Sequence, residues 1–265
     1  MSRLPGPFLA LLLVALLLPL VPLATWSVAH GWRFPDLLPR DWSLDAWAYA
    51  LSPTAGVLRG LGLTAAIAGA ATAGSLVIGL PAGRALGLYR FRGRAAVEIL
   101  VLAPVLTPGI AAVFGLHALF LPLGLTNTVA GVALAHLIPV LPYTILVLSG
   151  VFAGYDTRAE YQARSLGASP FQVLRHVTWP AIRPGVIVAA LFAFLVSWSQ
   201  YLLTLVIGGG RVQTLPLQLF AFAGAGRADV TGAIAVVYVL PGILVLVLTS
   251  RRLTGRSAAL AGFGR

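Results

Sequence analysis

The chain has 265 residues, 59% of them hydrophobic and 9% charged, with a formal net charge of +11. An ordinary soluble domain carries about 25% charged residues, so a mean hydropathy of +0.94 excludes a water-soluble fold. Cysteine and lysine are both absent, which excludes disulfides, thiolate metal sites and any G-x-x-x-x-G-K-[ST] phosphate loop.

A membrane-spanning helix needs about 20 mainly apolar residues. Six stretches meet that length: Phe8 to Ala29, Leu61 to Ala82, Ala95 to Phe120, Thr128 to Ala153, Gly185 to Ile207 and Val230 to Thr249. The expectation is an all-α membrane protein with six transmembrane helices. The first stretch starts after Arg3 and reads alternatively as a signal peptide ending near Ala24 or Ala29. Its apolar run exceeds the roughly 7–15 residues of a signal core, which favours a retained helix. The following segment, His30 to Arg59, holds Asp36, Asp41 and Asp45 with Trp32, Trp42 and Trp47. Those tryptophans suit a membrane interface.

In the second span, Ala65, Gly69 and Ala73 lie four apart and form a small-residue face that permits close helix approach. The third carries Pro104, Pro108 and His117, with Glu98 one turn after Arg94 as a structural pair. The fourth carries His136, Pro139 and Pro142, and the sixth Pro241-Gly242. These prolines suit bent helices around a pathway, or ordinary membrane-helix composition. Near the centre of the fifth span stand Ser197, Trp198, Gln200 and Tyr201. Gln200 can hydrogen-bond a substrate and the aromatics can cage a cation; interhelical hydrogen bonding is the plainer role. The same holds for His117 and His136.

The arginines sort by side. With a cytoplasmic N-terminus, Arg3, Arg84, Arg90, Arg92, Arg94, Arg158, Arg164, Arg175, Arg183, Arg251, Arg252, Arg256 and Arg265 fall inside. Arg33, Arg40, Arg59, Arg211 and Arg227 fall outside. Cytoplasmic loops carry the basic excess, so both termini are expected inside. The net charge then reflects topology, and no nucleic-acid partner is expected.

The longest cytoplasmic loop, Gly154 to Pro184, has its own grammar. Asp156 or Thr157 can cap a short helix, and Glu160 and Arg164 stand at i,i+4 as a surface pair. Gly167 suits a left-handed helix stop. Ser169-Pro170 reads as N-cap and first residue of a second helix, with Phe171, Leu174 and Val177 along one stripe. Trp179-Pro180 is expected to end it. The segment is a helical hairpin at the cytoplasmic face, packed on the bundle or docked in a partner's groove.

This loop resembles the EAA loop of type I ABC-importer permeases, the family of the maltose, methionine, molybdate and polyamine permeases. That pattern runs Glu-Ala-Ala, three residues, Gly, then nine residues to Ile-x-Leu-Pro. Ala163 to Phe171 is similar to its core, and Gly167 with Val177-Thr-Trp-Pro180 keeps its spacing. Aligned on Gly167, Tyr161 stands at the Glu position and Gln162 at the first Ala; the acid comes one place earlier, at Glu160, and Trp179 replaces Leu. The likeness of helix order and loop covers about residues 58–250.

The resemblance implies a type I permease fold, with residues 1–265 as one transmembrane domain. Residues 1–57 form its first helix and external loop, 58–250 its core helices and 154–184 the coupling loop. It implies coupling through Glu160, Tyr161, Ala163, Gly167, Ser169, Pro170, Phe171, Leu174 and Pro180, with Phe171 the anchor in a cytoplasmic ABC ATPase dimer. Arg164, Arg175 and Arg183 pair with ATPase carboxylates or face lipid head groups. ATP and magnesium are expected on that partner, with no cofactor in this chain. A second permease subunit, identical or homologous, and a periplasmic or extracellular substrate-binding protein complete the set, beside membrane lipids. ATP binding is then expected to rock the permeases from inward- to outward-facing in a bacterial inner membrane.

The wording around Tyr201 and from Gly208 to Pro216 is similar to polyamine, iron, thiamine or phosphonate permeases. An ATP-independent secondary transporter or a membrane scaffold are the alternatives; the first would be expected to carry intramembrane carboxylates. An intramembrane enzyme is the remote one, since H-E-x-x-H is absent.

Overall fold

The computed structural model describes residues 18–261 except 33–35 and 37, together with residues 11, 14 and 15; side chains are described as far as residue 244. The start of the first expected span at Phe8, with Arg3, Arg33 and Arg265, lies outside the described residues, as do the side chains of Arg251, Arg252 and Arg256. The chain divides into two compact units, one of residues 1–63 and 213–254, the other of 64–212 and 255–265.

In the first unit, α1 (Leu20–Ser27) leads to a two-residue strand β1 (Ala29–His30), antiparallel to β2 (Asp41–Trp42). This short ladder departs from the all-α expectation; it closes the loop that carries Trp32. α2 (Asp45–Ala50) follows. From the distal sequence come α10 (Leu215–Gly224) and α11 (Ala228–Ala261). The Arg227 guanidinium lies 5.2 Å over the Tyr49 ring, and Phe222 meets that ring edge-on at 6.0 Å. Gln218 donates its side-chain N–H to the Gly56 carbonyl at 3.0 Å.

The long apolar helices follow the expected order, with two of the expected spans interrupted. Among the described residues, α3 (Val57–Leu88), α6 (Val129–Ala153) and α8 (Pro170–Trp198) are each long and apolar enough to cross a bilayer. The third expected span is not one rod. It is α4 (Arg94–Leu106) and α5 (Gly109–Phe120), bent by 101°. Thr107 is extended, with φ −79° and ψ 135°, the conformation that the following Pro108 favours for the residue before it.

The fifth expected span is also interrupted. α8 ends at Trp198, Ser199 to Tyr201 break the helix, and α9 (Leu202–Gly208) resumes it. The sixth is the α11 helix, of which Ala228–Leu244 is a shorter apolar segment within the described side chains.

In the second unit, the close approach of α3 lies elsewhere than expected. Ala65, Gly69 and Ala73 are exposed. Instead Gly79, Gly83 and Gly87 face α6, where an added Cβ would meet Thr144 Cγ2 at 2.7 Å, Leu148 Cβ at 2.6 Å and Phe152 Cβ at 2.6 Å. Glycines four apart make one face and let the backbones close. Thr128 caps α6 by accepting from the Gly131 N–H. Leu148, Phe152, Ile182, Val186 and Ala189 form the shared core of α6 and α8.

Pro180 does not end the second loop helix. The chain stays helical from Pro170 through to Trp198, with a π segment at Leu174–Thr178. There the Trp179 N–H reaches back five residues to the Leu174 carbonyl. Pro180 has no N–H to give, and the widened turn absorbs the missing bond. The register shift shows in the buried positions: Val173, then Thr178, Ile182, Val186, Ala189 and Ala193. One step of five precedes ordinary steps of four and three, so both parts of α8 keep one inward face.

Candidate functional site

The hairpin between α6 and the apolar part of α8 is built by local rules. α7 (Arg158–Ser165) starts where Asp156 Oδ1 accepts from the Arg158 N–H at 2.9 Å. It stops at Gly167, whose φ of +85° lies in the left-handed region that costs glycine little. Nothing stands within 4 Å of the position a Cβ would take there, so glycine serves the turn rather than the packing. Ser169 then caps α8 in a reciprocal capping box: its hydroxyl accepts from the Gln172 N–H at 3.3 Å and the Gln172 side chain accepts from the Ser169 N–H at 2.7 Å. Pro170 fills the first helical position.

Two faces result. The outer face carries large apolar side chains in the open: Leu166 is 88% exposed, Phe171 67%, Tyr161 64% and Leu174 51%. Arg164, Arg175 and His176 stand exposed around them. Ala163 is half-buried, and Ser169, Pro170 and Pro180 are exposed. A cleft of about 420 Å³ between α7 and α8 is lined by Ala163, Leu166, Gly167, Gln172 and His176, among others. An exposed apolar surface with arginines around it has the composition that interaction sites present.

The inner face is polar at its centre. Glu160 does not pair with Arg164 on the surface as expected; it points inward and is 5% exposed. Arg84, in the last turns of α3, holds it in a bidentate fork, Nη1 to Oε1 at 2.9 Å and Nη2 to Oε2 at 2.7 Å. The Thr178 hydroxyl donates to the same Oε1 at 2.7 Å, and Tyr155 Oη lies 3.5 Å from Thr178 Oγ1. The Arg84 guanidinium also sits 5.6 Å over the Phe152 ring. The Arg84 hydrogen bonds are the main reason the Glu160 carboxyl is lowered from 4.5 to about 2; burial opposes the shift and Thr178 adds to it. The carboxylate is therefore ionised and paired throughout the physiological range. Sequence reading missed Arg84 in this role, because 76 residues separate the partners.

The four residues expected along a substrate path are divided. Ser197 and Trp198 are buried. His136 Nδ1 meets Ser197 Oγ at 2.8 Å and Nε2 meets Thr204 Oγ1 at 3.0 Å. Thr204 gives its own hydrogen to the Gln200 carbonyl at 3.0 Å, so the ring donates to it from Nε2. His136 thus bridges the two sides of the break between α8 and α9. Trp198 stacks on Phe194 at 5.5 Å. Gln200 and Tyr201, half-buried, occupy the break itself, and Gln200 donates to the Val196 carbonyl at 3.2 Å. In the first turns of α4, Arg94 and Glu98 pair at 2.8 Å as expected.

Comparison with known proteins gives the family and the fold. A family model described as binding-protein-dependent transport system inner membrane component matches residues 75–257. The chain is 31% identical over 180 residues to the spermidine/putrescine transport system permease protein PotC of Haemophilus influenzae, covering 68% of this chain and 70% of that protein. With PotC of Escherichia coli K12 it is 28% identical, over 63% of each. With the diacetylchitobiose uptake system permease protein DasC of Streptomyces coelicolor it is 28% identical, over 67% of this chain and 66% of that one.

Among solved structures, one chain of a bacterial ABC transporter that imports the acidic polysaccharide alginate matches with a TM-score of 0.70 and 21% identity, over 93% of this chain and 94% of that one. An inward-facing MetNI methionine ABC transporter chain matches with a TM-score of 0.58 and 19% identity, over 75% and 94%. Both likenesses concern the fold.

Proposed function

The chain belongs to the family of binding-protein-dependent transport system inner membrane components, and from that premise we propose that its hairpin of residues 154–184 is the surface through which a separate ATPase drives transport. The protein is a multi-pass membrane permease subunit of an ABC importer. The observation that carries the coupling proposal is the hairpin's two-faced build: Tyr161, Leu166, Phe171 and Leu174 stand in the open on helices whose inner side is tied down. Water-exposed apolar side chains on a rigid support are what a partner's groove buries with most gain.

In this proposal a cytoplasmic ABC ATPase dimer binds ATP and magnesium, since the chain has no lysine for a phosphate loop of its own. Phe171 is the anchor. A second permease subunit and an extracytoplasmic binding protein complete the importer, in a bacterial inner membrane. Six spans place both termini in the cytoplasm, and the whole chain serves as one permease domain. Gln200 and Tyr201 at the helix break line the pathway; Ser197, through His136, and Trp198 hold that break in shape. Among the substrate classes, polyamines come first on the strength of the PotC likeness, ahead of iron, thiamine and phosphonate.

Co-purification with the cognate ATPase tests the docking surface. Phe171→Ala should cost about 2 kcal/mol of association, roughly thirtyfold in affinity. An unchanged complex would remove Phe171 from the anchor role. Uptake of labelled spermidine by vesicles holding the assembled importer tests the substrate class.

A further inference from the structure

We propose that Arg84, Glu160 and Thr178 form a clamp that makes the hairpin move as one body with the membrane helices α3 and α8. The proposal rests on the docking role given to the hairpin and adds the path by which displacement leaves it.

Three observations carry it. The first is how α7 is attached. Glu160 is its one buried residue, so the helix has almost no apolar underside. Its orientation depends on a carboxylate, where a packed helix would depend on leucines. The second is the geometry of that attachment. Both guanidinium nitrogens of Arg84 meet both Glu160 oxygens, at 2.9 and 2.7 Å. Two parallel bonds fix a plane as well as a distance, so α7 can neither slide nor roll on α3 without breaking one. The third is the π segment. Thr178 is its last residue, and the extra residue in that turn brings Thr178 onto the inward face with Val173 and Ile182. The Thr178 hydroxyl then reaches Glu160 at 2.7 Å. Single-turn π insertions recur at functional sites; here one aligns the end of the hairpin with the helix that leads into the membrane.

One carboxylate therefore joins α3, α7 and α8. A push on the outer face cannot fold the hairpin away from the bundle; it is delivered to the ends of two spanning helices. Arg84, Glu160 and Thr178 are positioning residues, since they act through the hairpin and touch neither nucleotide nor cargo.

The chain has no cysteine, so a pair of introduced cysteines reports cleanly. Spin labels at Ser165→Cys, the end of α7, and Val77→Cys, an exposed site on α3, are measured in the complex with its ATPase, nucleotide-free and with ATP-vanadate. The clamp requires one narrow distance distribution, the same in both states. Glu160→Gln should broaden it and shift it between states. It should also lower binding-protein-stimulated ATP hydrolysis by roughly fivefold or more while the ATPase stays bound. Arg84→Lys keeps the charge but not the fork, and should behave as Glu160→Gln does. The exchange Arg84→Glu with Glu160→Arg should regain the narrow distribution.

A wild-type distance that changes with nucleotide, or a Glu160→Gln distribution like the wild type's, overturns the clamp. Failure of the ATPase to co-purify with the wild type overturns the docking surface alone; the clamp is still decided by comparing wild type with Glu160→Gln in the free permease.

Discussion

Glu160 concentrates the chemistry of the hairpin's inner face. Its carboxyl is held near 2 by Arg84 when folded, against 4.5 when free. Between those values the unfolded chain binds more protons than the folded one, so stability rises with pH through that window. The ion pair's contribution is complete above about 4.5 and fades as pH falls toward 2. Glu160→Gln should therefore lower thermal stability in detergent at neutral pH. Removing one partner of a buried pair costs about 3–5 kcal/mol. With the Arg84 side chain 29% exposed, a loss on the order of 2 kcal/mol is expected once solvent screening is counted. Thermal unfolding of wild type and variant at pH 7 and pH 3 checks this: the gap should be full at pH 7 and markedly narrower at pH 3. A gap that stays constant would mean the carboxylate charge contributes nothing. None of this was legible in the sequence, because Glu160 has an apparent partner at Arg164 one turn away. What decides is that Glu160 faces inward, and facing is set by packing rather than by spacing.

At the scale of elements, local grammar was readable and long-range accommodation was not. Ser169-Pro170 and Gly167 each act within four residues of their own position, and each sits where its side chain or backbone preference directs. Proline is a different case. Pro180, Pro184, Pro139 and Pro142 all lie inside continuous helices, while Pro108 marks a 101° bend. Which proline breaks a helix depends on whether neighbours, or a π turn, take up the freed carbonyl. The glycines tell the same story. Both the Ala65 and the Gly79 series have the four-residue spacing, and only the packing partner singles out the second. The turn at Gly167 yields a test. A β-branched residue at φ +85° costs about 1–2 kcal/mol and pushes the turn toward another conformation. Gly167→Val should uncouple binding-protein-stimulated hydrolysis with the ATPase still bound. Gly167→Asn, which tolerates the left-handed region, should stay near wild type. If the valine variant transports normally, the turn does not position the coupling surface.

The whole molecule turns on the bent pair α4–α5. By length and composition it is one broken span or a re-entrant loop, and the choice fixes the side of everything after it. If the pair re-enters, residues 121–128 stay on the side where α3 ends. Then α6 runs the other way, and the hairpin with Arg158, Arg164, Arg175 and Arg183 faces outward. That arrangement reverses the arginine bias that orients membrane chains, and it removes the exposed Phe171 surface from any cytoplasmic partner. If the pair crosses, the arginine bias and the hairpin agree. Leu123, between α5 and α6 and 62% exposed, decides between them. In this cysteine-free chain, Leu123→Cys should react in intact cells with a thiol reagent that cannot cross the membrane, while Ser165→Cys on the hairpin should react only after permeabilisation. Protection of Leu123→Cys in intact cells would make the pair re-entrant and place the hairpin on the wrong side for an ATPase. The sidedness of one loop residue thus carries the topology and the coupling mechanism together.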